Sequence, residues 1–305
     1  GDKVRSYHLL RHLAARHRVF LGSFVDDADD EVHVGALRQW CADLCLPRLH
    51  PRSAKLQSLP ALLADEPLTL RYYRDAALAD WVRRTAAGTR IDATVVFSSA
   101  MVQYADLLPD VPVLLDFVDV DSAKWTQYAE HHRWPLSWLY RREGDRLLAY
   151  ERAAAARAAH SFFATEQEAA LFGRLAPECA ERVEALCNGV DADHFAPDAA
   201  RASPFDAGTL PIVFTGAMDY WPNVDAVTWF ARDVLPLLAP RWPALRFVVV
   251  GRNPAPAVQA LAGEKVLVTG TVPDVRPYLQ HAAVVVAPLR LARGIQNKVL
   301  EAMAM

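Results

Sequence analysis

The stretch IVFTGAMDYWPNVDA, residues 212–226, decides how this chain reads. An apolar run rich in β-branched and aromatic residues stops at Gly216 and gives way to a helix for which Asn223 is a candidate N-cap. Two later runs stop in the same way: FVVVGRNPAP places Gly251 after Val250, and VLVTGTVPDV places Gly270 after Thr269. Working outward, similar short runs cover 19–24, 93–97, 111–115, 161–164 and 284–287, with helix-length segments between most of them. This alternation predicts an α/β protein with parallel sheets covered on both faces by helices. Ligands of open parallel sheets bind beyond the carboxyl ends of the strands, which is where the three glycines fall. Each alone is explained by a tight turn, since glycine adopts positive φ without steric cost. Together they suggest a backbone that a ligand approaches closely.

The chain has 305 residues, 52% of them apolar, enough for two domains of ordinary size. The boundary falls at CNGVDADHFAPD, residues 187–198, where a strand gives way to Asn-Gly, Asp and Pro. It separates a domain over 1–187 from one over 188–305, each expected to be Rossmann-like and doubly wound. With 33 Lys+Arg against 36 Asp+Glu and a net charge of -3, nothing favours broad contact with nucleic acid; a bound nucleotide should be small.

Four cysteines, Cys41, Cys45, Cys179 and Cys187, are too few and too irregular for a disulfide scaffold, and they read as buried, reduced thiols. Cys41 and Cys45 lie one helical turn apart if that segment is a helix, but no second ligand pair has metal-site spacing. No apolar run reaches the roughly 18 residues of a membrane span and no secretory signal opens the chain, so the expected location is cytoplasmic. The opening, GDKVRSYHLLRHLAARHRVFLGSF, reads as a loop, a helix and then a strand. A helix feeding a strand implies a further strand before it, expected to precede Gly1.

The last residues, RGIQNKVLEAMAM (293–305), place Arg293 just before a helix that begins around Ile295 or Gln296, with Lys298 inside its first turn. Cations are unfavourable at the positive end of a helix dipole by a few tenths of a kcal/mol or more, so a pair of them needs a reason. A diphosphate held by the first backbone N–H groups supplies one, turning Arg293 and Lys298 into ligands. Glu301, three residues after Lys298, shares its face and could accept hydrogen bonds from two adjacent sugar hydroxyls. The plainer alternative is a solvated Lys/Glu pair on a surface helix.

NGVDADHF, TGAMDYWPNVDAVTWF, VVVGRNP, VTGTVPDVRPYL and VVVAPLRLARGIQNKVLEAMAM, in that order and spacing, resemble the donor half of a GT-B glycosyltransferase of family 4. The set is more similar still to the sugar transferases of PEP-CTERM/exosortase exopolysaccharide systems, in which GDKVRSYHLLRHLA and VDVDSAKW also find counterparts. The resemblance covers nearly the whole chain. It implies two Rossmann-like domains facing a cleft, and a retaining transfer, without metal or other cofactor, of a sugar from a nucleotide diphosphate sugar to an acceptor hydroxyl. By position, Glu301 matches the second glutamate of the EX7E motif, which binds the donor ribose. Gly294 and Ile295 match the loop facing the sugar and phosphates, Gly216 the loop that passes the diphosphate, and Thr271 and Val272 the edge that binds the base.

The chain departs from the family at several points. Arg293 stands where the first glutamate of EX7E is expected, and the loop after Gly216 reads AMDYWPN where many members carry Arg and Lys. Arg293 and Lys298 would then supply the diphosphate charge. The elements that follow EAMAM in the family are expected beyond Met305. On the acceptor side, LLDFVDVDSAKW brings Asp116, Asp119 and Asp121 near the carboxyl end of a strand, where Asp119 or Asp121 could orient or deprotonate the acceptor hydroxyl. Alternatively Asp121 or Ser122 caps the following helix. The histidine that family 4 enzymes often carry hereabouts is missing from that loop; His131 and His132 follow at a distance. Trp125, Trp134, Trp138 and Tyr140, interleaved with Arg133, Arg141, Arg142 and Arg146, suit either a peripheral membrane contact with a lipid-linked acceptor or packing between helices. The expected partners are therefore a nucleotide-sugar donor and a glycan or lipid-linked acceptor, with no nucleic acid. Two alternatives stay open: a non-catalytic GT-B relative that binds a nucleotide or a protein partner, and, more weakly, a GT-B epimerase. An NAD enzyme is disfavoured because no G-x-G-x-x-G follows a strand.

Overall fold

The structure is a computed structural model that describes residues 2–26, 28–290 and 296–305. The chain forms two compact units, residues 1–187 and 188–305. In both, every pairing between strands is parallel, as the alternation of short apolar runs with helices predicted.

In the first unit, helix α1 (Asp2–Ala14) leads into strand β1 (Phe20–Gly22), which pairs with β2 (Asp43–Cys45). The helix is present from Asp2, so the loop expected at the start of the chain is a helical turn instead. A second sheet has the order β3-β4-β5-β6, with β3 Thr94–Phe97, β4 Val113–Val118, β5 His160–Phe163 and β6 Val183–Ala185. Between these strands run helices α2 (Asp121–Glu130), α3 (Leu136–Arg157) and α4 (Glu166–Leu175). The core is built on Phe117, Phe163 and Phe172, whose ring centroids lie 4.9–5.3 Å apart. Leu115 and Val120 are wholly buried in the same cluster.

Strand β4 continues three residues past the run seen in the sequence because Asp116 is neutralised in place. The Arg5 guanidinium donates to both of its carboxylate oxygens, at 2.8 and 3.1 Å, and both side chains are buried. A carboxylate paired and hydrogen-bonded in this way can sit in a core strand, although the pair is not by itself evidence of stability.

In the second unit the sheet order is β10-β7-β8-β9, formed by β7 (Leu210–Thr215), β8 (Leu245–Val250), β9 (Val266–Gly270) and β10 (Val284–Val285). Alternate residues serve the two faces. Phe214, Phe247 and Val249 pack with Met218 and Phe230 on one side, and Val213, Val248 and Val250 form a separate cluster on the other. Burial on both faces explains why β8 reads as an unbroken apolar run. Helix α5 (Trp221–Trp229) follows β7, and α6 (Asn297–Ala304) ends the chain.

The thiols are free, but only Cys179 is buried; Cys41 and Cys45 are half-buried and Cys187 is exposed. Cys41 caps a short helix and Cys45 ends β2, so the two do not share a helical turn, and the uniformly buried state read from the sequence is corrected. Among the described residues no helix is long and apolar enough to cross a membrane.

Candidate functional site

The carboxyl ends of β7, β8 and β9 meet at the three glycines. The Gly216 N–H donates to the Val250 carbonyl at 3.1 Å, and the Gly251 N–H to the Gly270 carbonyl at 3.2 Å. A Cβ on Gly251 would stand 1.6 Å from the carbonyl oxygen of Gly216, so the two loops meet backbone to backbone. A Cβ on Gly216 would stand 2.8 Å from Asn223 Nδ2 and 3.2 Å from Lys298 Nζ. Gly270 has open space around it, and its φ of +69° is what calls for glycine. Two of the three glycines are thus needed by packing within the loops, and Gly216 also leaves room for a polar cluster.

That cluster is Asn223 and Lys298. Asn223 lies in the first turn of α5 but is not its cap: Tyr220 occupies the N-cap, with no side-chain bond. The Asn223 side chain is turned inward instead. Its Nδ2 donates to the Ala217 carbonyl at 2.9 Å, and its Oδ1 accepts from Lys298 Nζ at 2.8 Å. The Lys298 ammonium also lies 4.1 Å from the centroid of the Phe214 ring, the geometry of a cation–π contact. Among the described residues it makes no salt bridge. Burial pushes its pKa down to about 8, with the nearby Glu301 acting in the opposite direction.

Helix α6 begins at Asn297, with Gln296 in the cap position, one or two residues later than the sequence suggested. Asn188 Nδ2 donates to Asn297 Oδ1 at 3.3 Å and ties down the first turn. Lys298 occupies that turn. Glu301, one turn on and half-buried, has its pKa raised by burial and lowered in part by Lys298. Thr271 is exposed just past β9, and Val272 packs against the cluster of Val213, Val248 and Val250. The structure therefore gathers Gly216, Lys298 and Glu301 around one helix terminus and leaves Thr271 and Val272 at the β9 end. Arg293, Gly294 and Ile295 lie outside the described residues.

The carboxyl ends of β3 and β4, in the first unit, are differently made. Ser98 and Val118 both hold positive φ, 76° and 69°. For a β-branched residue such as Val118 this costs about 1–3 kcal/mol, which the surrounding contacts must outweigh. Asp116 is committed to Arg5 and cannot act as a base in this state. Asp121 accepts from Ser99 Oγ at 3.1 Å and has Lys124 Nζ at 3.9 Å. It is the first residue of α2, and Val120 rather than Asp121 or Ser122 takes the cap position, without a side-chain bond. Ser122 instead donates its hydroxyl to Glu151 at 2.5 Å. Asp119 is half-buried beside this turn.

His131 and His132 sit exposed at the end of α2, each ring Nδ1 within 2.9 Å of a carbonyl one turn back, that of Gln127 or Tyr128. The arginines of the aromatic segment divide. Arg142 is spent on the carbonyls of Ala61 and Ala64, each at 2.6 Å, and Arg146 pairs with Asp65, whereas Arg133 and Arg141 are exposed. Trp125 packs against Tyr140 at 5.4 Å, but Trp134 and Trp138 keep 80% and 54% of their surface in solvent. Reading the sequence missed Arg5, Asn223, Glu151 and Glu168 as partners at these sites, because each acts on a residue far along the chain.

Residues 210–305 match the family model described as "Glycosyl transferases group 1". No curated protein matches the chain. Among solved structures, the chain is similar to HepE of Anabaena in complex with UDP, at 16% identity and a TM-score of 0.67 over 98% of this chain and 74% of that one. It is similar to sucrose-phosphate synthase of Thermosynechococcus elongatus, at 17% identity and a TM-score of 0.66 over 99% and 73%. A UDP-forming α,α-trehalose-phosphate synthase of Burkholderia xenovorans follows the same fold at 12% identity and a TM-score of 0.56 over 94% and 81%. The fold is GT-B, as the motif order implied, and the glycosyltransferase group 1 domain bears out the expected class, a transferase of glycosyl groups.

Proposed function

We propose that the chain transfers a sugar from a nucleoside diphosphate sugar to an acceptor hydroxyl, and that the edge formed by Gly216, Lys298 and Glu301 holds the donor. One observation carries this reading: a half-buried ammonium that makes no salt bridge among the described residues, seated on Asn223 and the Phe214 face in the first turn of a helix with Glu301 one turn on. A cation there is unfavourable until an anion arrives, and a diphosphate supplies two charges that both Lys298 and the helix N–H groups can bind. In this reading Glu301 accepts from the ribose hydroxyls and the Thr271–Val272 edge takes the base; the family resemblance assigns Gly294 and Ile295 to the loop facing the sugar and phosphates, and Arg293 joins Lys298 in meeting the diphosphate charge.

HepE and the trehalose-phosphate synthase are recorded with UDP or as UDP-forming, which favours a UDP-sugar as the donor. In this reading the transfer retains anomeric configuration, uses no metal, and serves exopolysaccharide or other surface-glycan assembly, as the family resemblance implies. Asp119 or Asp121 orients the acceptor hydroxyl or takes its proton. The exposure of Trp134 and Trp138, with Arg133 and Arg141 near them in sequence, supports a further part of this reading: a cytoplasmic enzyme in peripheral contact with a membrane that carries a lipid-linked acceptor.

Calorimetric titration with UDP, GDP and ADP, with and without EDTA, tests the donor site. Saturable binding of UDP that survives EDTA is expected; failure of all three nucleotides to bind would favour the non-catalytic, partner-binding alternative. Sedimentation with anionic vesicles tests the membrane contact, which fails if Trp134→Ala with Trp138→Ala binds as well as the unaltered chain.

A further inference from the structure

The turn that follows β4 is held from below by two buried carboxyl groups that the reading above leaves without a role. Glu168, in the first turn of α4, accepts from the Val120 N–H at 2.8 Å; its own N–H is capped by Thr165 Oγ1 at 3.0 Å. Glu151, on α3 and wholly buried, accepts from the Ser122 hydroxyl at 2.5 Å and from the Ser122 N–H at 3.3 Å. Two elements distant in sequence thus grip the residues on either side of Asp121. A third group anchors the start of the turn, because Asp116 Oδ1 accepts from the Val118 N–H at 3.2 Å while the same carboxylate is paired with Arg5. Without these acceptors the N–H groups of Val118, Val120 and Ser122 would be buried and unpaired, and Val118 would have no reason to keep positive φ.

We infer that Glu151 and Glu168 are positioning residues: they clamp the backbone on both sides of Asp121 so that its carboxylate is presented, against Ser99, to the acceptor. This rests on the acceptor-side role proposed above for Asp121. The clamp explains why so many carboxyl groups are buried at one strand end. Asp121, itself negative, adds to the burial that pushes Glu151 up to about 8, so Glu151 is held largely neutral beside it. A neutral carboxyl can accept the Ser122 N–H on one oxygen and share its proton with the Ser122 hydroxyl on the other, a pair of contacts that the amide of glutamine can also make. Glu143, also wholly buried, provides an internal control: it accepts from the Leu68 and Thr69 N–H groups and the Thr69 hydroxyl, tying a different segment to α3.

The test combines amide hydrogen exchange over 118–122 with UDP release from UDP-glucose and UDP affinity by calorimetry, in the full chain. Glu151→Leu and Glu168→Leu should speed exchange at Ser122 and Val120 by about tenfold or more, and lower kcat by a similar factor, with UDP affinity unchanged within about twofold. Glu151→Gln should restore both, and Glu143→Leu should lower Tm while leaving kcat within about twofold. Should the leucine variants not fold, Ser122→Ala removes one strand of the clamp with less disturbance. Unchanged exchange, or faster exchange with kcat intact, overturns the clamp, as does an equal loss of kcat in Glu143→Leu. Asp121→Asn with full kcat would remove the role of Asp121 alone, because the exchange measurement reads the clamp whether or not the turn is catalytic.

Discussion

The two sheet edges of this molecule solve opposite problems. At the ends of β7 and β8 glycine meets glycine, and Lys298 leans on an amide and a ring. At the end of β4 the backbone is crowded with acidic groups, and each buried one already has its donor: Asp116 has Arg5, Glu168 has Val120 and Glu151 has Ser122. The cation of the first edge rests on neutral groups, with Glu301 nearby; the acidic groups of the second have donors of their own unit and fix a shape. If the first edge binds the donor and the second positions the acceptor, as proposed, disturbing each edge should produce a different kind of loss.

The largest effect should come from breaking the satisfied edge. Arg5→Ala leaves the Asp116 carboxylate buried and unpaired, which should cost about 3–5 kcal/mol of stability, read as a lower midpoint in urea. A change below about 1 kcal/mol would mean that the pair is solvated and the edge less closed than described. Next, Gly251→Ala drives a methyl group into the Gly216 carbonyl, so the β7 and β8 loops must part. A loss of about 2–3 kcal/mol is expected, together with weaker UDP binding because the Gly216 loop moves. Retained UDP affinity in a destabilised variant would separate these loops from the donor site.

A smaller effect sharpens the comparison through pH. Burial lowers the Lys298 pKa from 10.5 to about 8, so the ammonium proposed to meet the diphosphate is present below that value and lost as pH rises through it. UDP affinity should therefore fall by about tenfold between pH 7 and pH 9, while uridine affinity stays level. A flat UDP profile over that range would show that Lys298 does not carry the binding.

Much of the fold was legible because parallel strands buried on both faces leave unbroken apolar runs, as in Phe247–Val250 within β8. Strand β2 escaped notice because its three residues, Asp43–Cys45, are short and polar at one end, and only pairing with β1 makes them a strand. The full length of β4 was hidden because Asp116 looks like a stop signal until Arg5, 111 residues away, neutralises it. At the candidate site, Lys298 and Glu301 stood out by helical spacing and by following a core strand. Asn223 did not, since the bond that gives it meaning spans 75 residues. Glu151 and Glu168 resemble ordinary charged helix residues in a sequence rich in Arg and Glu; only their burial distinguishes them.

The central claim is that Lys298 waits for a diphosphate. Paired calorimetry of UDP and uridine against the unaltered chain and Lys298→Ala at pH 7 decides it. The account predicts that the substitution weakens UDP by about 10–100-fold and leaves uridine within about twofold, because the lost contact is a charge-assisted bond to phosphate. Equal losses for the two ligands, or UDP binding unaffected by the substitution, would contradict it.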